Sequence, residues 1–130
     1  MEINSQNPHV YQTTPDHVLE LRSVDAFNEA VNTYKDQLII IDFWAPWCGP
    51  CRAFGPTFSS LQKEYFARGE PVVFTKLNTE EVGIVAQELG ISGIPTTLFI
   101  HKNKIIYHNV GALPKPAFDQ VIRKVLEKIQ

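Results

Sequence analysis

Apolar residues along the 130-residue chain fall into two kinds of spacing, and each kind predicts a different element. Dense or alternating apolar runs are typical of strands, especially where β-branched residues dominate. The run that ends at Trp44 is the densest, and Asp42 is its one charged residue. Runs of this kind predict three separate strands, over residues 17–23, 37–44 and 71–78.

Other segments repeat apolar residues every three or four positions, which is the period of a helix. Ser23 or Asp25 can cap the first of these helices, and Gly90 is a stop signal for the third. The last segment has a strongly apolar face. The spacing predicts helices over residues 24–35, from Pro50 through Phe66, over residues 80–90, and after Pro116 as far as Ile129.

Residues 96–112 predict two strands joined by a tight turn at Lys102-Asn103, which together make a β-hairpin. With the hairpin included, the predicted order of elements is β-α-β-α-β-α-β-β-α. Strands that alternate with helices favour an α/β fold, in which a mixed sheet carries helices on both faces.

Composition is that of one ordinary globular domain, with 44% hydrophobic and 20% charged residues. The formal net charge is −2, and no cluster of lysine and arginine stands out. Binding to nucleic acid through phosphate neutralisation is therefore not expected. No apolar stretch approaches the roughly 18 residues that a membrane span needs, so no membrane partner is expected either.

The first residues are rich in Asn, Gln, Thr and Pro and have little to bury. We predict that residues 1–16 form a flexible or loosely docked extension, followed by a single domain over residues 17–130. The extension lacks the basic start and apolar centre of a secretory signal. Because the chain also has only two cysteines, the sequence favours a cytoplasmic protein.

Those two cysteines lie three positions apart, at Cys48 and Cys51. On a helix this spacing brings both side chains to one face, and Pro50 is tolerated in the first turn. We expect Cys48 to be exposed at the helix N-terminus, where free amides and the helix dipole favour a thiolate. A thiolate there can attack a partner's disulfide, and Cys51 can then attack Cys48 and release the reduced partner.

Two other uses of the cysteine pair are weaker. A zinc site usually needs four ligands, and the four histidines of the chain do not form a pair spaced for zinc. A purely structural disulfide would close a very short loop, worth about 2 kcal/mol against about 4.7 kcal/mol for a loop of 100 residues. The sequence therefore predicts redox exchange and no metal.

Four stretches, DFWAPWCGPC, KLNTEE, GISGIPTTLFI and NVGAL, occur in an order and at separations that closely resemble thioredoxins. The resemblance runs from about Val18 to Gln130. It implies the thioredoxin fold, which is a central five-stranded mixed β-sheet flanked by four α-helices. It also implies that Cys48 is the attacking cysteine and Cys51 the resolving one.

The same resemblance assigns a substrate-binding surface around Cys48. Pro95 matches the family's cis-proline, and the backbone of Ile94 is expected to pair with a bound peptide. A flat, apolar surface with few large side chains admits many extended peptides through backbone hydrogen bonds. The predicted members of this surface are Trp47, Gly49, Pro50, Ile94, Pro95, Val110, Gly111 and Ala112.

Asp42 interrupts a strand that is otherwise apolar, and burying a carboxylate is costly unless it is paired or protonated. The resemblance places Asp42 beneath Cys51, as the group that accepts or relays its proton. Burial should raise the pKa of Asp42 so that it can act as a general base. Lys76 matches a family lysine close to this aspartate and would oppose that shift, and the sequence leaves the balance open.

Trp44 is predicted to pack beside the cysteine pair, with an indole N–H that could donate to a carboxylate. This contrasts with Trp47, which is expected to lie on the substrate-binding surface itself.

We therefore expect a protein-disulfide reductase with no bound cofactor, monomeric and acting on disulfides of client proteins. The resemblance implies that electrons come from NADPH through a flavin-dependent thioredoxin reductase. An exported oxidase or isomerase is a second interpretation, although such relatives usually have histidine between the cysteines, where this chain has Gly49-Pro50. A third is a redox-inactive binding subunit, and retention of both cysteines argues against it.

Overall fold

The computed structural model describes residues 14–130. Most of the predicted N-terminal extension, residues 1–16, therefore lies outside the described residues. At its end, the Thr14 hydroxyl donates to the Gln37 side-chain oxygen at 2.7 Å, and the Pro15 carbonyl accepts from the Gln62 amide at 3.3 Å. These two residues thus contact the domain.

The order of elements within residues 14–130 is the predicted one. The first strand is shorter than expected, since only Leu19 and Glu20 of residues 17–23 belong to it. In chain order the elements are β1 (Leu19–Glu20), α1 (Val24–Thr33), β2 (Leu38–Trp44), α2 (Gly49–Ala67), β3 (Val72–Asn78), α3 (Gly83–Glu88), β4 (Thr96–His101), β5 (Lys104–Val110) and α4 (Lys115–Ile129).

The five strands form one mixed sheet in the order β1-β3-β2-β4-β5. Strands β1, β3 and β2 are parallel, whereas β4 is antiparallel to both β2 and β5. The expected five-stranded mixed sheet with four helices is confirmed. Its centre is β2, which is the densest apolar run of the sequence.

Two separate cores cover the two faces of the sheet because successive side chains of a strand point to opposite faces. Helices α2 and α4 pack on one face, where the Phe118 ring meets Phe54 edge-on at 5.0 Å between ring centres. Helices α1 and α3 pack on the other face. In β2, Ile40 belongs to the first core and its neighbours Ile39 and Ile41 to the second.

Local signals for turns and caps are confirmed. Lys102 and Asn103 both have positive φ, 51° and 64°, as the tight hairpin turn between β4 and β5 requires. Of the two candidate caps of α1, it is Ser23 whose hydroxyl accepts from the backbone N–H of Ala26, at 3.0 Å. Gly90 has φ +73° just after α3.

Two phenylalanines of α2 provide a test of the core. Phe58 is 1% exposed and Phe66 is 42% exposed. We expect Phe58→Ala to lower the free energy of unfolding by about 3–5 kcal/mol, since it leaves a cavity between sheet and helices. Phe66→Ala is the control and should cost well under about 1 kcal/mol. Urea unfolding measures both values, and equal losses would contradict this description of the core.

Candidate active site

The cysteine pair lies at the N-terminus of α2, just beyond the end of the central strand. Cys48 is the N-cap residue, with extended backbone, and its sulfur accepts from the backbone N–H of Cys51 at 3.2 Å. The two cysteines form a disulfide, with their Cα atoms 5.2 Å apart. Pro50 fits in the first turn because amide groups there have no acceptor within the helix.

Cys48 is not exposed, contrary to the expectation from its position at a helix end. It is only 5% exposed, and Cys51 is 3% exposed. The pair packs against Ala45, and the side chains of Trp44 and Ile94 cover it. The Cys48 sulfur lies 3.9 Å from the Ile94 carbonyl oxygen, so a neighbouring loop that is distant in sequence accounts for this burial.

That neighbouring loop has a cis peptide bond between Ile94 and Pro95, as the resemblance predicts. The Pro95 carbonyl accepts from the backbone N–H of Gly111 at 2.8 Å. Gly111 has φ +99°, a conformation that favours glycine. Since Thr96 also pairs with Val110 across β4 and β5, the loop is held against the end of the hairpin.

The predicted substrate-binding residues come from these three segments, and most of them reach the surface. Trp47 and Val110 are each 66% exposed. Pro95, however, is buried beneath the surface, so its carbonyl serves the fold. The other five predicted members are exposed or half-buried: Gly49, Pro50, Ile94, Gly111 and Ala112.

A groove of about 350 Å³ beside Trp47 was not anticipated from the sequence. It runs between Trp47 and α3, and Ile94 is at its other side. The Trp47 indole N–H donates to the Glu80 carboxylate at 3.2 Å and so orients the ring over this groove. Glu80 lies 33 positions further along the chain, and no local pattern could have linked the two residues.

Asp42 is 3% exposed, and one of its carboxylate oxygens has no hydrogen-bond partner among the described residues. Burial raises its pKa from an ordinary 3.8 to about 7, while the positive charge of Lys76 opposes that rise. Lys76 stands opposite Asp42 in the register of β2 with β3, which places it close by, as the resemblance predicts. The effect of burial on the Asp42 pKa therefore exceeds that of the Lys76 charge, a balance that the sequence left open.

Trp44 packs against the cysteine pair, as predicted, but its indole N–H does not meet a carboxylate. That N–H is buried without a partner among residues 14–130. The carboxylate-bonded indole is that of Trp47 instead. The ammonium group of Lys76 lies 5.5 Å from the centre of the Trp44 ring, within the range of a cation–π contact.

Other kinds of site find no support in the described residues. Residues 14–130 contain no group of three or more His, Cys, Asp or Glu side chains placed to hold a metal ion. In that part of the chain, no helix combines the length and apolar character needed to cross a membrane.

A cysteine pair at a helix N-terminus, covered by a cis-proline loop and preceded by a strand that carries a buried carboxyl, defines a thiol–disulfide oxidoreductase. The thioredoxin family model matches residues 18–124. The thioredoxin of Chlorobaculum thiosulfatiphilum is 38% identical over 95 residues, 73% of this chain and 82% of that protein. Pea "Thioredoxin M-type, chloroplastic" is 38% identical over 120 residues, covering 85% of this chain and 67% of that protein.

Solved structures agree with the sequence comparison. The crystal structure of Malassezia sympodialis thioredoxin aligns with a TM-score of 0.74 at 32% identity, over 85% of this chain and 92% of that one. The chain belongs to the thioredoxin family. It is a protein-disulfide oxidoreductase that acts by dithiol–disulfide exchange through its Cys48–Cys51 pair.

The raised pKa of Asp42 makes a prediction about stability. A carboxyl whose pKa is higher in the folded state than in the unfolded chain destabilises the fold as pH rises from about 4 to about 7. A difference of about three pKa units corresponds to at most about 4 kcal/mol above pH 7. Asp42→Asn removes this penalty, so the oxidised variant should be more stable than the parent at pH 8.

Urea unfolding of both oxidised proteins at pH 4 and pH 8 measures the effect. The stability gain of Asp42→Asn should be largest at pH 8 and shrink towards pH 4, which is close to the ordinary pKa of 3.8, because most of the penalty builds up only above that pKa. A gain of equal size at both pH values would show that the Asp42 pKa is not raised.

Proposed function

We propose that this protein is a general disulfide reductase of the cytoplasm, in which Cys48 attacks client disulfides and Cys51 resolves the intermediate. The observation that carries this assignment is the hydrogen bond from the Cys51 backbone N–H to the Cys48 sulfur at the start of α2. It makes the two cysteines chemically unequal although both are buried.

The first step belongs to Cys48. In the reduced protein its thiolate is stabilised by the Cys51 N–H and the positive end of the α2 dipole. The thiolate attacks one sulfur of a client disulfide, the client's S–S bond breaks, and one client thiolate leaves. A mixed disulfide between Cys48 and the client remains.

The second step belongs to Cys51, with Asp42 as its proton acceptor. Cys51 is 3% exposed, so its thiol has little water to take its proton. With a pKa of about 7, the Asp42 carboxyl is partly ionised at neutral pH and can accept that proton. The Cys51 thiolate then attacks the Cys48 sulfur, and the second client thiolate leaves. Two electrons pass to the client, and the disulfide seen in the structure is the oxidised product.

Lys76 acts on this step through Asp42. Burial alone would push the pKa of Asp42 higher, and the charge of Lys76 limits that rise. A carboxyl held near neutrality can both accept a proton from Cys51 and give it up afterwards. Lys76 is therefore proposed as a positioning residue for proton transfer.

Client binding is proposed to use the apolar surface around the cysteine pair. Trp47 supplies a large exposed apolar side chain, and the Ile94 carbonyl lies next to the Cys48 sulfur. Gly49 and Pro50 leave little steric obstruction beside it. Such a surface selects for an extended client backbone and little for particular side chains.

The reducing direction is supported by the residues between the cysteines. Gly49 and Pro50 carry no charge, whereas an imidazolium at that point would stabilise the thiolate further and make the pair a stronger oxidant. We propose that a thioredoxin reductase reduces the Cys48–Cys51 disulfide again with electrons from NADPH, and that this protein itself binds no cofactor. A cytoplasmic location suits a reductase with two cysteines, because that compartment keeps thiols reduced.

Single cysteine variants test the order of attack. Cys51→Ser keeps the attacking thiol and loses the resolving one, so it should accumulate a stable mixed disulfide with a disulfide-bonded client such as insulin. Cys48→Ser should accumulate little, because the Cys51 N–H bond that stabilises a thiolate is made to the Cys48 sulfur, which this variant lacks. Non-reducing electrophoresis with mass spectrometry identifies the linked cysteine. A complex formed mainly by Cys48→Ser would reverse the assignment.

A pH profile tests the proton acceptor. The rate of mixed-disulfide resolution should rise with pH through about 7 as Asp42 ionises. Asp42→Asn should slow resolution roughly 10- to 100-fold at pH 8 and remove that inflection. Lys76→Met should retain the inflection but shift it to higher pH. Stopped-flow kinetics on a preformed mixed disulfide gives these profiles, and an unchanged profile in Asp42→Asn would exclude Asp42 as the base.

A further inference from the structure

Strand β5 is an edge strand with an exposed apolar side. Among residues 14–130 it pairs only with β4, so the backbone groups along its outer edge are unpaired within the sheet. Ile105 is 48% exposed and Val110 is 66% exposed. A long edge strand of this kind is a template on which another extended chain can pair.

A second groove runs beside this strand on the sheet face that carries α3. Its volume is about 190 Å³, well below the roughly 300 Å³ or more of typical small-molecule sites, and it suits an apolar side chain better. Buried Leu98 belongs to it, and the segment 89–92 borders it opposite β5. The apolar residues that line it are Leu89, Ile91, Leu98, Ile105 and Val110.

This groove is continuous with the surface around the cysteine pair because Val110 belongs to both. The Val110 side chain lies against the cis-proline loop, since one of its methyl carbons is 3.9 Å from where a Cβ atom on Gly93 would be. The hydrogen bond from Gly111 to Pro95 holds the two segments together. From Val110 to Ile105 the strand spans about 17 Å, at about 3.3 Å per residue.

The charge along the hairpin has one sign. Between residues 96 and 110 there are two lysines and two histidines and no acidic residue. Lys102 and Lys104 are exposed, and neither forms an ion pair within residues 14–130. The neighbouring turn, whose Lys35 carbonyl accepts from the Lys102 backbone N–H, contributes one acidic residue, Asp36. Because the charged residues of the hairpin itself are basic and its lysines are unpaired in the described part of the chain, an acidic partner is favoured along β5.

We propose that β5 and this groove extend the client-binding site. A client segment that flanks the attacked cysteine adds to the β5 edge as an extended strand, places an aliphatic side chain in the groove, and directs an acidic residue towards Lys104. The inference rests on the proposed function, since it names the class of client that the reductase prefers: extended segments with aliphatic and acidic residues beside the disulfide.

Charge reversal in the enzyme and in the substrate tests this preference. Two peptides are prepared, each with one cysteine flanked on both sides by six residues, with leucine and either aspartate or lysine, and each oxidised to a disulfide-linked homodimer. The full chain, reduced beforehand, is mixed with each peptide and with hydroxyethyl disulfide, which has no flanking chain. Stopped-flow single-turnover kinetics gives the rate constant for each substrate.

Lys104→Glu should lower the ratio of acidic- to basic-peptide rates by roughly fivefold or more, since one exposed attraction becomes a repulsion. Ile105→Ser should slow both peptides and leave hydroxyethyl disulfide unaffected. The matched controls are Lys124→Glu on the exposed face of α4 and Val24→Ser, which is 43% exposed on α1. Neither control should alter any of the rates, and comparing ratios between variants cancels the intrinsic reactivity of the peptides.

Equal peptide ratios in Lys104→Glu and Lys124→Glu would overturn the proposal. Light scattering adds a second outcome that would overturn it. If the peptide ratios are equal and the parent protein is a dimer that Ile105→Ser dissociates, β5 is instead a contact with a second copy of the chain. Failure of the parent protein to reduce hydroxyethyl disulfide and both peptides would instead count against the proposed function. The two failures are thus distinguishable.

Discussion

The burial of β2 between β3 and β4 is the constraint on which the rest of the structure depends. All its residues from Leu38 to Phe43 are 3% exposed or less, and both edges of the strand are hydrogen-bonded to neighbours. Its side chains supply both cores in alternation, so the strand joins the two helical layers. It also carries Asp42 into the buried interior and leads directly into the segment that begins α2. Stability and chemistry are therefore coupled through one strand.

The site exists because three distant segments meet beyond the end of that strand. The helix start contributes the cysteine pair, the cis-proline loop covers Cys48, and the end of the hairpin supports the loop through the bond from Gly111 to Pro95. Each contact is small, but together they bury the disulfide and surround it with exposed apolar residues. The buried carboxyl of Asp42 destabilises the fold at neutral pH, and that same burial brings its pKa into the range useful for proton transfer.

Surroundings of the cysteine pair differ on its two sides. Beside Trp47 the larger groove is bordered by α3, and the indole is held by the carboxylate of Glu80. Beside Val110 the surface continues along a strand whose charged residues are basic. If clients bind across both sides, as proposed, they meet the Glu80 carboxylate at one end and lysines at the other, and these opposite charges would orient them.

Local pattern was enough to predict the order of elements, the hairpin turn and the cysteine pair at a helix start, because these depend on residues a few positions apart. The resemblance correctly added the cis bond before Pro95 and the closeness of Lys76 to Asp42. Only the tertiary structure determined the burial of Cys48, the choice of Trp47 over Trp44 as the bonded indole, and the two grooves. Burial and hydrogen bonding of this kind join residues 30 or more positions apart, as from Trp47 to Glu80 and from Cys48 to Ile94, and no periodicity along the chain encodes which distant residues will meet.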